Sequence, residues 1–224
     1  MILQIETATT VCSVALANQG KILAVKQLNE RNVHAEVITL FVQDVLNQAG
    51  VKYQDLQAIA VSCGPGSYTG LRIGVSTAKG LCFALDKPLI AIETLESMAY
   101  GIIAGNKYHD ILLCPMIDAR RMEVYTALYD VNGNQVEAVS ARIIDENSFA
   151  EQLANHQILF FGDGAGKCEA VLDKNKNAMF MPDFVNSAIH LTQKAFEKYQ
   201  QQDFEDVAYF EPHYLKEFIP GVKK

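Results

Sequence analysis

The sequence has no pair of cysteines or of histidines at a metal-ligand spacing. Its five cysteines (Cys12, Cys63, Cys82, Cys114 and Cys168) are odd in number and widely separated, with no Cys-x-x-Cys pair. That excludes a disulfide framework and a zinc ribbon, and it reads as small apolar residues in a reducing compartment. Its histidines (His34, His109, His156, His190 and His213) form neither His-x-x-x-His nor His-Glu-x-x-His, so no protein-borne metal and no cofactor is expected. Also absent are a Gly-x-Ser-x-Gly elbow for an acyl-transfer serine and a persuasive carboxylate dyad. Positive charge is in deficit: 19 Lys and Arg against 26 Asp and Glu give a formal net charge of −7. That balance argues against the chain alone holding a nucleic acid, since such binding rests on basic patches that neutralise phosphates. No apolar run approaches the roughly 18 residues of a membrane span, and Ile2-Leu3-Gln4-Ile5 opens without a basic leader. The expectation is a cytoplasmic protein with no membrane contact.

What is present is organised around Ala58 to Leu85. An apolar segment (Ala58-Ile59-Ala60-Val61-Ser62-Cys63) enters the turn Gly64-Pro65-Gly66-Ser67-Tyr68-Thr69-Gly70, and a proline-free run leaves it from Leu71. This predicts strand, turn and helix, with Ser67 or Thr69 capping the first helical amides. Such a turn serves either an anion or its own chain geometry. It is not a phosphate-binding P-loop, because Leu71-Arg72 stands where Lys-Ser/Thr is needed. Gly70, Gly74 and Ala78 fall four apart and share one helix face. Each glycine inside a helix costs roughly 1 kcal/mol relative to alanine, and close packing is the simplest compensation.

Read in order, the 224 residues make one large domain or two small ones, and half of them are hydrophobic. Two strands (Ile2–Ile5 and Val11–Leu16) flank the polar turn Glu6-Thr7-Ala8-Thr9-Thr10, and a hairpin follows at Asn18-Gln19-Gly20. The threonines either bond a phosphate or satisfy their own turn. Val37, Ile38, Phe41, Val42, Val45, Leu46 and Ala49 recur at helical steps and end at Gly50. Leu40 widens that stripe, which points either to a second surface or to burial under another helix. Leu89–Ile92 reads as a strand and Glu93–Tyr100 as a helix start; strands alternating with helices indicate an α/β architecture. A glycine-rich interval from Gly101 to Asp110 suggests two lobes, 1–102 and 103–224. The second lobe repeats the plan of the first: strand Ile111–Ile117, polar turn Asp118–Arg121, strand Glu123–Tyr129, hairpin Asp130–Asn134. Ile158–Phe161 then enters Gly162-Asp163-Gly164-Ala165-Gly166-Lys167. Ser187–Tyr199 reads as a helix, and the aromatic tail Ala208–Phe218 is expected to dock on the body of the protein.

Ser62-Cys63-Gly64-Pro65-Gly66-Ser67-Tyr68-Thr69-Gly70-Leu71-Arg72-Ile73-Gly74 with Ala78-Lys79-Gly80-Leu81 resembles the motif of the TsaB (YeaZ) family. Ile5–Thr9, Pro88–Ala99, Ile117–Tyr125 and Pro212-His213-Tyr214-Leu215 are similarly close, so the resemblance covers most of the chain. It implies a two-lobed actin/sugar-kinase/Hsp70-like (ASKHA) fold, each lobe a mixed sheet with flanking helices. It further implies a non-catalytic scaffold or activator in the making of N6-threonylcarbamoyladenosine beside the anticodon of tRNAs reading ANN codons. TsaD would be the direct partner and the ATPase TsaE would join a ternary complex; tRNA would be met only through that complex, and a homodimer is implied when the chain is alone. At the positions where TsaD carries two metal-binding histidines this chain has Thr94 and Met98, and the acidic residue of the first loop, commonly Asp in the fold, is Glu6. No catalytic residue is expected, and the remaining nucleotide-loop candidates are Thr7, Thr9, Asp118, Gly162 and Gly164. The partner interface is expected at Val37, Phe41, Val45, Gly70, Arg72, Gly74, Ala78 and Leu81. The alternative is an enzyme, either a glycoprotease-like peptidase or a weak ATPase of the same fold.

Overall fold

The computed structural model describes residues 1–105 and 107–216. The first sheet contains β1 (Ile2–Glu6), β2 (Val11–Asn18), β3 (Lys21–Asn29), β4 (Ala58–Gly64) and β5 (Leu89–Glu93), in the order β3-β2-β1-β4-β5. Strands β1 to β3 run as an antiparallel meander, and β4 and β5 are added in parallel through α1 (His34–Ala49) and α2 (Tyr68–Leu85). After α3 (Thr94–Ile103), the second sheet contains β6 (Ile111–Asp118), β7 (Glu123–Asp130), β8 (Gln135–Ile143), β9 (Gln157–Phe161) and β10 (Ala178–Met181). Its order β10-β9-β6-β7-β8 is that of the first sheet read backwards, which establishes the repeated plan. Helices α4 (Ala150–Asn155) and α5 (Ala165–Leu172) cover one face of this sheet, and α6 (Thr192–Gln201) follows a 3-10 turn at Ala188–Leu191. The helix expected over Ser187–Tyr199 is therefore a 3-10 turn followed by an α-helix. Strands β8 and β10 and helix α4 carried no reading in the sequence.

Central strands explain the apolar runs. Every residue of β1 and β4 is buried, because both faces of the first sheet are covered. On one face Leu3, Ile5, Val14, Leu16, Ile59 and Val61 pack against Ile38, Phe41, Val42, Val45 and Leu46 of α1 and Val75, Ala78 and Cys82 of α2. Burying each large aliphatic or aromatic side chain contributes about 1.5–3 kcal/mol. The other face is made of smaller residues (Ala15, Ala58, Ala60, with Ile2, Ile90 and Ile92), and it is closed by Ala188, Leu191 and Ala195 from the distant end of the chain. Polar pairs fix that cover: the Thr192 hydroxyl donates to Gln4 Oε1 at 2.9 Å, and the Ser187 hydroxyl donates to Gln27 Oε1 at 2.8 Å. The backbone N–H of Ala188 donates to Ser13 Oγ at 3.1 Å.

Two segments pack against the sheet formed by the other half of the sequence. Helix α3, expected to belong to the first lobe, buries Leu95, Met98, Ala99 and Ile102 in the core of the second sheet, among Ile111, Leu113, Ile117, Leu159 and Phe161. Residues 188–201, expected in the second lobe, close the first. Each sheet is capped on one face by a segment reached through a crossover, and apolar matching across those faces outweighs proximity in sequence. Pro115 is a further departure from simple pattern, since it stands in the central strand β6. The β6–β7 pairing passes from Leu113↔Tyr129 to Met116↔Thr126 around it, and the Thr126 hydroxyl donates to the Pro115 carbonyl at 2.9 Å.

Candidate functional site

The loop between β1 and β2 is sealed from within. Glu6 is fully buried; Oε1 of its carboxylate accepts from the Ala8 amide at 2.6 Å and from the Ser62 hydroxyl at 2.8 Å. Burial nonetheless pushes the Glu6 carboxyl above the usual carboxylate range. Thr7 and Thr9 are buried as well, and Thr9 O is bonded to His34 Nε2 at 3.0 Å. Over this loop lies the start of α2, whose Ser67 caps the helix by accepting from the Gly70 amide at 3.3 Å. A Cβ built on Gly70 would lie 2.1 Å from Thr7 O, and one on Gly74 would lie 2.2 Å from Thr7 Oγ1. Ala78 is fully buried in the same core.

Five of the eight residues expected at the partner interface are buried within the fold: Phe41, Val45, Gly70, Gly74 and Ala78. Gly70, Gly74 and Ala78 do share a face, but that face is filled by the chain's own first loop and sheet. Phe41 and Val45 likewise point into the first core, where periodicity alone could not say which partner they meet. Of the residues expected at the interface, Arg72 is exposed and Val37 and Leu81 are half-buried. Leu40, whose widening of the stripe pointed either to a second surface or to burial under another helix, is 61 % exposed on α1, and Phe83 on α2, which the sequence reading passed over, is 87 % exposed. Both lie on the sides of their helices opposite the buried stripe, and Val37, Ile73 and Leu81 pack half-buried against the core.

The second loop is also occupied. Lys167 Nζ pairs with Asp118 Oδ1 and donates to Glu123 O at 2.6 Å. Asp163 accepts from the Asp118 amide at 3.0 Å; burial raises its carboxyl pKa. Gly162 and Gly164 sit where any side chain would strike Met116 O, at 2.4 Å, or the Ile117 carbonyl carbon, at 2.9 Å. Of the five nucleotide-loop candidates Thr7, Thr9 and Gly164 are buried, Gly162 is half-buried, and the exposed Asp118 is held by a lysine of the same chain. Thr94 and Met98 are fully buried, with the Met98 methyl lying against Gly162.

The third feature joins residues that sequence distance had hidden. After α6 the chain pairs with β5, Glu205 N–H donating to Leu89 O at 2.9 Å, and it buries Phe210 in the first core. Lys79 of α2 donates to Ala208 O at 3.2 Å and Phe210 O at 2.8 Å. The His213 amide then donates to Cys63 O at 2.7 Å, an approach possible only because Gly64 (φ 127°) has no Cβ, which would lie 2.4 Å from His213 O. His213 Nδ1 stands 2.6 Å from Glu93 Oε1 and 3.8 Å from Cys63 Sγ. Tyr214 packs against Tyr68 with ring centroids 4.8 Å apart and planes tilted by 36°, and Arg72 lies over Tyr68 while donating to Tyr214 Oη at 3.1 Å. Lys216 finally pairs with Glu123 at the start of β7, so the tail spans from one lobe to the other. The expected docking of the tail is thus observed through Phe210 and Tyr214, while Phe218 lies outside the described residues. The signal that could have found Cys63, Glu93 and His213 was their position at the ends of predicted strands and in the tail motif.

Comparison with known proteins agrees with this architecture. The family model described as "TsaD: tRNA N6-adenosine threonylcarbamoyltransferase" matches residues 22–217. The Escherichia coli "tRNA threonylcarbamoyladenosine biosynthesis protein TsaB" is 44 % identical over 134 residues, 59 % of this chain and 57 % of that one. The chain thus matches little more than half the length of that relative. The Haemophilus influenzae protein of the same name is 27 % identical over 233 residues, covering 99 % of this chain and 96 % of its own. The solved structure "YeaZ from Pseudomonas aeruginosa" superposes with a TM-score of 0.80 at 27 % identity, over 96 % of this chain and 99 % of that one. A more distant likeness, to an activator of 2-hydroxyisocaproyl-CoA dehydratase from Clostridium difficile (TM-score 0.53, 10 % identity, 92 % of this chain and 98 % of that one), shows the fold alone. Among the described residues no helix is long and apolar enough to cross a membrane. With the two mixed sheets of the same strand order, these findings identify the fold as ASKHA and show that the chain belongs to the TsaB (YeaZ) family.

Proposed function

We propose that the chain takes part in threonylcarbamoyladenosine modification of tRNA, as the names of its relatives suggest, and that it does so as a non-catalytic scaffold or activator. Its direct partner is TsaD, with the ATPase TsaE joining the pair. The acceptor is N6 of the adenosine 3′ to the anticodon in tRNAs reading ANN codons, and the acidic chain meets that tRNA only through the complex. Alone, it pairs with a second copy through the same surface. The observation that carries this reading is the apolar outer side of α1 and α2, where Leu40 and Phe83 stand 61 % and 87 % exposed. Large exposed apolar groups on adjacent helices favour a protein partner. The sealed first loop, the Lys167–Asp118 pair in the second and the buried Thr94 and Met98 support a subunit that leaves chemistry to its partner.

The test is reconstitution of tRNA modification with TsaD and TsaE from the same organism, with and without this chain. Stimulation by the wild type, lost in Phe83→Asp and Leu40→Glu variants that remain folded but no longer copurify with TsaD, is the expected result. Equal modification without the chain overturns the reading. The rival, a peptidase or weak ATPase, is favoured if the isolated chain cleaves peptides or turns over ATP and loses that activity on Asp118→Ala.

A further inference from the structure

We propose that Cys63, Glu93 and His213 form a binding site for one divalent transition-metal cation of the zinc class, which fastens the tail to the ends of β4 and β5. The three ligand atoms come from three separate segments, and all lie within 4.8 Å of one another. Ligands held at zinc–sulfur, zinc–nitrogen and zinc–oxygen distances of about 2.0–2.3 Å in a tetrahedron stand about 3.4–3.6 Å apart. The observed separations straddle that range: Cys63 Sγ to His213 Nδ1 is 3.8 Å, and His213 Nδ1 to Glu93 Oε1 is 2.6 Å. Ligation therefore requires the imidazole to close a few tenths of an ångström on the thiol and to withdraw somewhat less than 1 Å from the carboxylate, and the thiol and carboxylate, within 4.8 Å of each other, to close by up to about 1.2 Å. These shifts fall to the His213 and Glu93 side chains, which are 57 % and 37 % exposed.

Hydrogen bonding alone serves this cluster incompletely. Nδ1 carries one proton or one lone pair, yet it faces both Glu93 Oε1 and Cys63 Sγ, and it can bond only one of them as a donor. A cation engages all three at once. The set of thiolate, imidazole and carboxylate suits zinc or its analogues and not the oxygen-loving magnesium or calcium. Charge also closes: a thiolate and a carboxylate balance a divalent ion, so the assembly is neutral at a place where Cys63 is buried and a lone thiolate would be penalised. The exposed side of His213 leaves room for a water as the fourth ligand. The site is separate from Thr94 and Met98, which are buried in the second core. Helix-face spacing had excluded a metal from the sequence, but that exclusion reaches only ligands close together in the chain, and these span 150 residues.

The experiment is titration of the full chain with cobalt(II), followed by displacement with zinc(II). One equivalent per chain with a sulfur-to-cobalt charge-transfer absorption is expected. That absorption should vanish in Cys63→Ser, and zinc affinity should fall at least tenfold in Glu93→Gln and His213→Ala. Glu93→Gln keeps a hydrogen-bonding partner for His213, so its circular dichroism checks that lost affinity is not lost folding. Absence of cobalt binding by folded wild type, or an absorption that persists in Cys63→Ser, overturns the proposal.

Discussion

Thr7 and Gly74 interlock: the threonine hydroxyl occupies the space that a Cβ on residue 74 would need, at 2.2 Å. Gly70 meets the backbone carbonyl of the same threonine at 2.1 Å. Alanine at either position should destabilise the protein by overpacking, on the order of 1–3 kcal/mol, and not by weakening partner binding alone. The two should part company in a double mutant. Thr7→Ala removes the obstructing hydroxyl and should restore part of the stability lost in Gly74→Ala. It cannot move the carbonyl that opposes Gly70→Ala. Denaturant melts of the four variants decide the point, and equal rescue of both would contradict the packing described.

His190 sits in the 3-10 turn that closes the first sheet, stacked on Phe184 at 5.1 Å and pressed against Gly101, where a Cβ would lie 2.6 Å from its ring. Burial lowers its pKa from 6.5 to about 4. A base whose folded pKa lies below its unfolded value must charge more readily on unfolding, so stability is lost as pH falls from about 6.5 towards 4. At pH 5 the deficit is about 1.5 pH units, or on the order of 2 kcal/mol. Chemical denaturation at pH 7.5 and pH 5 should show a steeper loss in wild type than in His190→Phe. Parallel losses would rule out this histidine as the source.

The Lys79 ammonium holds the tail by two carbonyls, Ala208 O and Phe210 O. Lys79→Met keeps the aliphatic stem and removes both bonds, a loss of about 1–2 kcal/mol confined to the tail. Limited proteolysis should cut the tail about tenfold faster, with little change in the melting temperature. A fall in melting temperature as large as for Gly74→Ala would mean that the tail is integral to the core.

Thr126→Val preserves shape but strips the hydroxyl that bonds Pro115 O and stands 3.1 Å from Cys114 Sγ, all of it buried. An unpaired carbonyl in the middle of the second sheet should cost about 1–3 kcal/mol. Equilibrium unfolding of the single variant measures it directly, and a neutral result would show that water or the thiol takes over the carbonyl.

Local chemistry made much of the architecture readable. Gly64 to Gly70 announced the turn, the apolar runs Ile2–Ile5 and Val11–Leu16 announced strands, and the stripe from Val37 to Ala49 announced α1. Such signals state that a face is apolar or small, but they do not name what lies against it. The Gly70–Gly74–Ala78 face was legible as close packing; that Thr7 fills it depends on a contact across more than 60 residues, which no periodicity encodes. The destinations of α3 and of residues 188–201 were hidden for the same reason, since each is an ordinary amphipathic segment whose matching surface lies in the other half. The Cys63–Glu93–His213 cluster showed in the sequence only as two strand ends and a tail motif, because its members carry no mutual spacing until the tail folds back.

The exchange of covering segments also sets an order of events in synthesis. When β5 has left the ribosome, the first sheet can gather α1 and α2, yet its alanine-lined second face stays wet until residues 188–201 follow, roughly a hundred residues later. Meanwhile α3 waits for a sheet that does not yet exist. The nascent chain thus carries two exposed apolar surfaces that only each other's halves can quench, and neither half is a product that the cell could usefully release alone.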